Sequence, residues 1–277
     1  MSRLAGKVAF ITGVARGQGR SHAIRMAEEG ASIIGVDSLA DVTSAPYSLA
    51  TQEDLDETVV LVEKAGGKIV VKQADVRDQN ALDAAVAEGL DTFGSLDIVC
   101  ANAGIMPSIV PSWEWSEADW QETLDVDLGG VWRTTKAAIP AMLAGGRGGS
   151  IILTSSALGL KAAPGLVGYV AAKTGIVGVM RTLALELGGS GIRVNSVHPT
   201  TVSTDMILHD NLYKAFRPDL EAPTREDVEP ILQTTTVLGI PWVEAGDVTD
   251  AVVWLASDES RYVTGVTLPI DAGNGVK

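Results

Sequence analysis

Seven short apolar runs recur along the chain with helix-like stretches between them: Val8 to Ile11, Ser32 to Val36, Lys68 to Lys72, Leu96 to Ala101, Ser150 to Leu153, Ile192 to Val197 and Val266 to Ile270. Such runs lack an apolar/polar alternation because both faces of each strand are buried, which is the pattern of a parallel sheet covered by helices on each side. Parallel neighbours require crossover connections, and these are right-handed. The order therefore predicts a single α/β domain over residues 1–277, a Rossmann-type, doubly wound, seven-stranded parallel sheet with helices on both faces. In that architecture ligands lie at the carboxyl edge of the sheet. Functional side chains are then expected directly after strands, where Asp37, Asp75, Asn102, Ser155, Ser156 and Pro199 stand.

The bulk numbers narrow the partners. With 46% hydrophobic and 20% charged residues, the 277-residue chain has the profile of a soluble globular enzyme and ample length for a buried core. No run approaches the length of a membrane span, and MSRLAGKVAF leads straight into the first strand, so neither span nor signal peptide is expected and the expected compartment is the cytoplasm. A formal net charge of −14 argues against nucleic acid, anionic membrane or an acidic carrier protein as partner. The single cysteine, Cys100, excludes an internal disulfide and reads as a small core residue. His22, His198 and His209 lack metal-ligand spacing, so no metal is expected.

The first strand runs into a glycine-rich turn and a helix-like stretch, KVAFITGVARGQGRSHAIRMAEEG. Gly13, Gly17 and Gly19 permit a tight turn and close backbone approach, so a pyrophosphate can sit on the amides at the start of the helix. Arg16 and Gln18 lie in the same turn. The second strand ends at Asp37, followed by Ser38, about 20 residues beyond the glycines, where a carboxylate can accept hydrogen bonds from both hydroxyls of an adenosine ribose. That favours NAD. A 2′-phosphate about 4 Å from Asp37 would feel a repulsion of about 4 kcal/mol per charge pair at an effective dielectric near 20. Arg16 is a contrary signal, because arginine can hold a 2′-phosphate, and Asp37 is given the greater weight.

Further along, GYVAAKTGIVGVM places Tyr169 four residues before Lys173, on one face of a helix. A free phenol ionises near pH 10, but a fixed cation stabilises its phenolate, so the pair reads as an acid/base device. Oxidising a secondary alcohol removes a hydride from carbon and a proton from oxygen, which needs an acceptor and a hydrogen-bonding group in place beforehand. Tyr169 is the candidate acceptor, Lys173 its cation, and Ser156, thirteen residues before Tyr169, the candidate holder of the substrate oxygen, with Ser155 as its neighbour.

Taken together, T-G-x-x-x-G-x-G (Thr12 to Gly19), Asp75-Val76, Asn102-Ala103-Gly104, Ser156, Tyr169-x-x-x-Lys173 and the ending WLASDESRYVTGVTLPIDAG resemble the short-chain dehydrogenase/reductase family over nearly the whole chain. At finer grain, GQGRSHA, the long loop after Asp37 and VWRTTKAAIPAM resemble its carveol-dehydrogenase-like, mycofactocin-associated branch. The family resemblance implies that Asp75 and Val76 lie beside the adenine and that Asn102, Ala103 and Gly104 border the central part of the cofactor. It implies that Lys173 bonds the nicotinamide ribose while Pro199, Thr200, Val202 and Thr204 border the carboxamide. The branch resemblance implies NAD held tightly and re-oxidised in place by an external carrier, mycofactocin. The family resemblance also implies a homotetramer, with helices from Ser116 to Ala144 and from about Val167 to Leu187 pairing across subunits, where Ala171, Ala172, Gly175 and Gly178 would allow close packing.

One position departs from the family pattern. VDLGGVW carries Asp127 where the family has asparagine. A carboxylate only accepts hydrogen bonds, so Asp127 either pairs with Lys173 and diverts it from Tyr169, or is protonated in its buried setting. Two segments fall outside the alternation. Ser38 to Ala50 is a Pro- and Ser-containing loop placed to cover the adenosine end, ahead of a helix with Thr51 and Asp54 in capping-box positions. Thr204 to about Ala245 is a long apolar excursion that reads either as a lid or as a subunit contact. Ile105, Met106, Trp113, Trp115, Met206 and Leu208 are candidates for an apolar pocket, or else for core. The expected activity is interconversion of a small hydrophobic secondary alcohol and its ketone. A ketoacyl-carrier-protein reductase is opposed by Asp37 and the acidic balance, and a non-catalytic NAD-binding regulator by the intact Ser156, Tyr169 and Lys173.

Overall fold

The computed structural model describes residues 2–277. Its strands are β1 (Val8–Thr12), β2 (Ser32–Asp37), β3 (Ile69–Gln73), β4 (Ile98–Ala101), β5 (Gly149–Thr154), β6 (Ile192–Pro199) and β7 (Thr267–Ile270). They form one sheet in the order β3-β2-β1-β4-β5-β6-β7, every pair parallel. Each predicted run is a strand, displaced at its ends by two residues or fewer. The helices are α1 (Gly17–Glu28), α2 (Gln52–Lys64), α3 (Gln79–Phe93), α4 (Glu117–Leu124), α5 (Val131–Gly145), α6 (Val167–Leu187), α7 (Asp210–Phe216), α8 (Arg225–Gln233) and α9 (Ala245–Ala256).

Alternate residues of each strand divide the core in two. Phe10, Ile34, Val99, Ile151 and Val194 face α3, α5 and α6, where they meet Leu82, Val86, Met142, Ile176 and Met180. On the other face Ile11, Ile33, Cys100, Ile152 and Val197 meet Met26 of α1, Leu55 and Val62 of α2, and Val248, Val252 and Leu255 of α9. Each such fully buried side chain stabilises by about 1.5–3 kcal/mol relative to exposure. Truncating Phe10, which has no exposed surface, removes about 3–5 kcal/mol. Burial pushes the Cys100 thiol up to about 12, which makes it an inert packing group.

The strand order reverses between β1 and β4, and the chain leaves the two strands in opposite directions. That divergence opens a crevice at their carboxyl ends. Thr12 at the end of β1 closes its floor: its hydroxyl accepts from the Asn102 and Ala103 amides, each at 3.1 Å, while Asn102 Nδ2 donates to the Thr12 carbonyl at 3.0 Å.

One helix differs from its expectation. The stretch predicted as continuous from Ser116 to Ala144 starts as foreseen, with the Ser116 hydroxyl capping Asp119 N–H of α4, but Asp125–Gly130 is wound as π-helix before α5 resumes. A π-turn inserts one residue per turn and rotates the side chains that follow. Asp127 lies within it and has no exposed surface.

Candidate active site

The crevice is lined from one end to the other by the glycine turn, the end of β2, the segment after β3, the segment after β4 and residues 204–206. Gly13, Arg16, Gly17, Gln18, Asp37, Ser38, Asp75, Val76, Asn102, Ala103, Gly104 and Thr204 all border it. Val42, Tyr47, Leu49 and Ala50 of the 38–50 loop also border it, as do Asp205 and Met206.

The turn can adopt this path only with glycine at three positions, the first being Gly13 with a φ of +68°. Gly17 has a φ of +56°, and a Cβ at Gly19 would lie 1.9 Å from the Gly13 carbonyl oxygen. Behind the turn, Arg20 donates to the Ala15 carbonyl at 2.8 Å and to the Asp54 carbonyl at 2.8 Å, and Thr58 donates to Ala15 at 2.8 Å. These bonds fix the α1 start against α2, whose capping box of Thr51 and Asp54 forms as expected.

Asp37 closes the far end of β2. Its carboxylate accepts from the Ala15 amide at 3.0 Å. Burial pushes its carboxyl up, against the opposing pull of the Ala15, Leu39 and Ser38 amides and the charge of Arg16. Arg16 itself is engaged elsewhere. Its guanidinium donates to the Ser48 carbonyl at 2.5 Å and pairs with Asp205 at 3.4 Å, so it ties the 38–50 loop to the start of the 204–245 segment.

Three side chains, Ser156, Tyr169 and Lys173, meet outside that lining, carried by the end of β5 and by α6, with the Lys173 ammonium behind Gly104. Tyr169 and Lys173 are buried, at 7% and 4% exposure, and the Lys173 ammonium lies 5.4 Å from the centroid of the Tyr169 ring. Burial pushes the Tyr169 hydroxyl above its usual range and the Asp127 charge adds to this, while a hydrogen bond with Ser156 acts the other way. Ser155 and Ser156 have separate tasks. The Ser155 hydroxyl donates to the Lys173 carbonyl at 2.8 Å and so anchors α6, whereas Ser156 faces Tyr169. His198 of β6 holds the Ser156 carbonyl through Nδ1 at 2.8 Å, with its Nε2 on the Ser196 hydroxyl at 2.8 Å. Asp127 comes within 3.6 Å of the Lys173 ammonium, and its Oδ1 accepts from the Ile105 amide at 2.8 Å.

Several expected residues stand apart from the crevice wall. Val202 is buried and bridges to Val243, and the Thr200 amide donates to the Ile270 carbonyl at 3.2 Å, so both fix the end of β6. Trp113 is 86% exposed, and the Trp115 indole donates to the Val110 and Gly165 carbonyls. Leu208 packs with Tyr213 and Phe216 on Val228, Leu232 and Trp242, a small core belonging to the 204–245 segment. Ile105 is buried and Met106 lines an outer pocket beside α7.

Sequence reasoning missed Tyr47. Its hydroxyl accepts from the Met106 amide at 3.0 Å and its ring stacks on His209 at 5.0 Å, while Asn211 donates to the Pro46 carbonyl. An aromatic residue in an otherwise small, polar loop was the available signal.

A family model described as enoyl-(acyl carrier protein) reductase matches residues 13–274. The (−)-trans-carveol dehydrogenase of Rhodococcus erythropolis is 52% identical over 277 residues, covering 100% of both chains. The structure of carveol dehydrogenase from Mycobacterium avium in complex with NAD superposes with a TM-score of 0.99 at 52% identity, covering 100% of both. A short chain dehydrogenase from Mycobacterium paratuberculosis bound to NAD gives 0.91 at 43% identity, covering 99% of this chain and 100% of that one. The chain belongs to the short-chain dehydrogenase/reductase family. As a short-chain dehydrogenase/reductase it is an oxidoreductase, and the full-length match extends to the 38–50 loop and the 204–245 segment. Among the described residues no helix is long and apolar enough to cross a membrane.

Proposed function

We propose that the chain is an NAD-dependent dehydrogenase that interconverts a small hydrophobic secondary alcohol, of the cyclic terpene alcohol class, and its ketone. Two observations carry this reading: a crevice bordered by the glycine turn and Asp37, and the buried group of Tyr169, Ser156 and Lys173, whose ammonium lies behind Gly104 of the crevice wall. NAD fits the residues present. The glycine turn borders the crevice at the start of α1, where a pyrophosphate would meet the helix amides, and Asp37 awaits the two ribose hydroxyls. Asp75 and Val76 border the adenine, Asn102 to Gly104 the centre, and Thr204 the carboxamide side, with Thr200 and Val202 holding the end of β6 behind it. Bound there, NAD supplies the hydride acceptor or donor.

Ser156 holds the substrate oxygen, Tyr169 takes its proton in oxidation and returns it in reduction, and Lys173 stabilises the phenolate. The shared names of the Rhodococcus and M. avium relatives support carveol as the first substrate to try. Turnover of (−)-trans-carveol with NAD tests the reading, and absence of turnover across cyclic secondary alcohols rejects it.

The 204–245 segment serves as lid and the 38–50 loop as a strap over the cofactor site, so NAD would exchange slowly and the NADH formed would be re-oxidised in place by an external carrier such as mycofactocin. The bonds of Arg16 and Tyr47 across strap and lid support this. Dialysed protein free of nicotinamide would reject it. A homotetramer is supported by the exposed Trp132, Leu143 and Leu185 on α5 and α6 and by the open surface around Gly178. Light scattering on the eluting protein tests that assembly.

A further inference from the structure

Asp127 is a carboxylate in the wall of the proton-transfer site with no exposed surface. Its Oδ1 is fixed by the Ile105 amide, while Oδ2 is buried without a hydrogen-bond partner and lies 3.6 Å from the Lys173 ammonium. That separation is an ion pair too long for a hydrogen bond. Gly104 seals it from the crevice side, since a Cβ there would lie 3.0 Å from Lys173 Nζ and 3.2 Å from Asp127 Oδ1. Burial pushes the Asp127 carboxyl up, and the Lys173 ammonium and the Ile105 amide pull it back down; ionised, it competes with Tyr169 for that single cation.

The other titratable groups facing this pair are few. His198 of β6 has both ring nitrogens engaged, and burial keeps it neutral. Tyr47 reaches in from the strap, and burial, with the charges of Asp127 and Tyr169, holds its phenol protonated against the Met106 amide and Arg16. Neither supplies a charge to offset Asp127.

We propose that Asp127 is a positioning residue which, ionised and paired with Lys173, keeps the Tyr169 hydroxyl protonated, so that the site is poised to give a proton to a ketone and oxidises alcohols only in more alkaline solution. Two effects act in the same direction. The anion repels a phenolate directly, and it draws the ammonium that would otherwise stabilise that phenolate. In reduction Tyr169 gives its proton to the ketone oxygen and is then re-protonated from solvent, while the hydride to the ketone carbon would come from NADH held in the crevice. An asparagine at this position keeps an acceptor for Ile105 N–H and removes only the charge.

The inference rests on the proposed role of Tyr169, and its test needs no turnover. Phenolate absorbance is titrated in NAD-saturated wild type and Asp127→Asn, with Tyr169→Phe marking which of the four tyrosines gives each transition. The Tyr169 transition is expected about one pH unit lower in Asp127→Asn, equal to about tenfold more phenolate at a given pH. The alkaline limb of kcat for carveol oxidation should move with it. An unchanged or higher transition overturns the proposal, whereas a wild type that oxidises no alcohol overturns the proposed function instead. Should the amide variant fail to fold, a carboxyl carbon NMR titration of the wild type decides: Asp127 ionised at neutral pH supports the proposal, and Asp127 protonated there overturns it.

Discussion

The Asp37 carboxylate accepts the Ala15 amide at 3.0 Å, which locks the end of the second strand to the glycine turn and leaves the rest of the carboxylate toward the crevice. A ribose held there is measured against a fixed negative charge. Asp37→Ser should therefore lower the ratio of kcat/KM for NAD over that for NADP by at least about tenfold, less than the full Coulomb repulsion would give because solvent screens the site. Steady-state kinetics with both cofactors checks this.

Arg16 joins strap and lid rather than standing free for a phosphate. Arg16→Ala removes both contacts at once, and Tyr47→Phe removes the bond to Met106 N–H. Each should speed NADH release by about three- to tenfold, in line with the roughly 1 kcal/mol typical of one such bond, as read by stopped-flow displacement. Equal release rates in all three proteins would show that the strap does not retain the cofactor.

Glu29 is clamped by Arg3, whose Nη2 lies 2.7 Å from Oε1 and whose amide donates to Oε2 at 2.9 Å. The Arg3 side chain, its amide and Arg25 hold the Glu29 carboxyl down to about 2 against its burial. A carboxyl depressed in the folded state contributes stability that is complete above its unfolded value near 4.5 and is lost as pH falls toward 2. Glu29→Gln should cost about 2 kcal/mol at neutral pH and flatten the stability curve over that acid window. Urea melts of both proteins from neutral to acid pH give the comparison.

The glycine turn makes a steric prediction. Gly19→Ala places a methyl on the Gly13 carbonyl, so the turn must open. NAD affinity should fall by at least about a hundredfold with the melting temperature less affected, because the turn lies at the crevice and the strand core is untouched. Calorimetric titration with NAD checks the first and thermal unfolding the second.

The sheet was legible because strands buried on both faces write themselves as apolar runs, and the site residues because they follow those runs directly. Asp37, Asn102 and Ser156 all do. What stayed hidden depends on contacts distant in sequence. DVDLGG has helical spacing and no proline, so nothing in it marks the π-turn that carries Asp127 inward. Tyr47 meets Met106 and His209 across 59 and 162 residues, the latter being 209 − 47, and no local pattern encodes that meeting. The spacing to Tyr169 favoured Ser156 over its neighbour, but the task of Ser155, a bond to the Lys173 carbonyl, was not legible in it.

The account stands on the Tyr169 hydroxyl, which bonds with Ser156, beside the Lys173 ammonium 5.4 Å from its ring centroid. Tyr169→Phe deletes one oxygen and keeps the ring. Steady-state oxidation of (−)-trans-carveol by this variant should fall by at least about a thousandfold in kcat while NAD affinity is retained, within the range expected for loss of general acid/base catalysis. Turnover within tenfold of the wild type would contradict it.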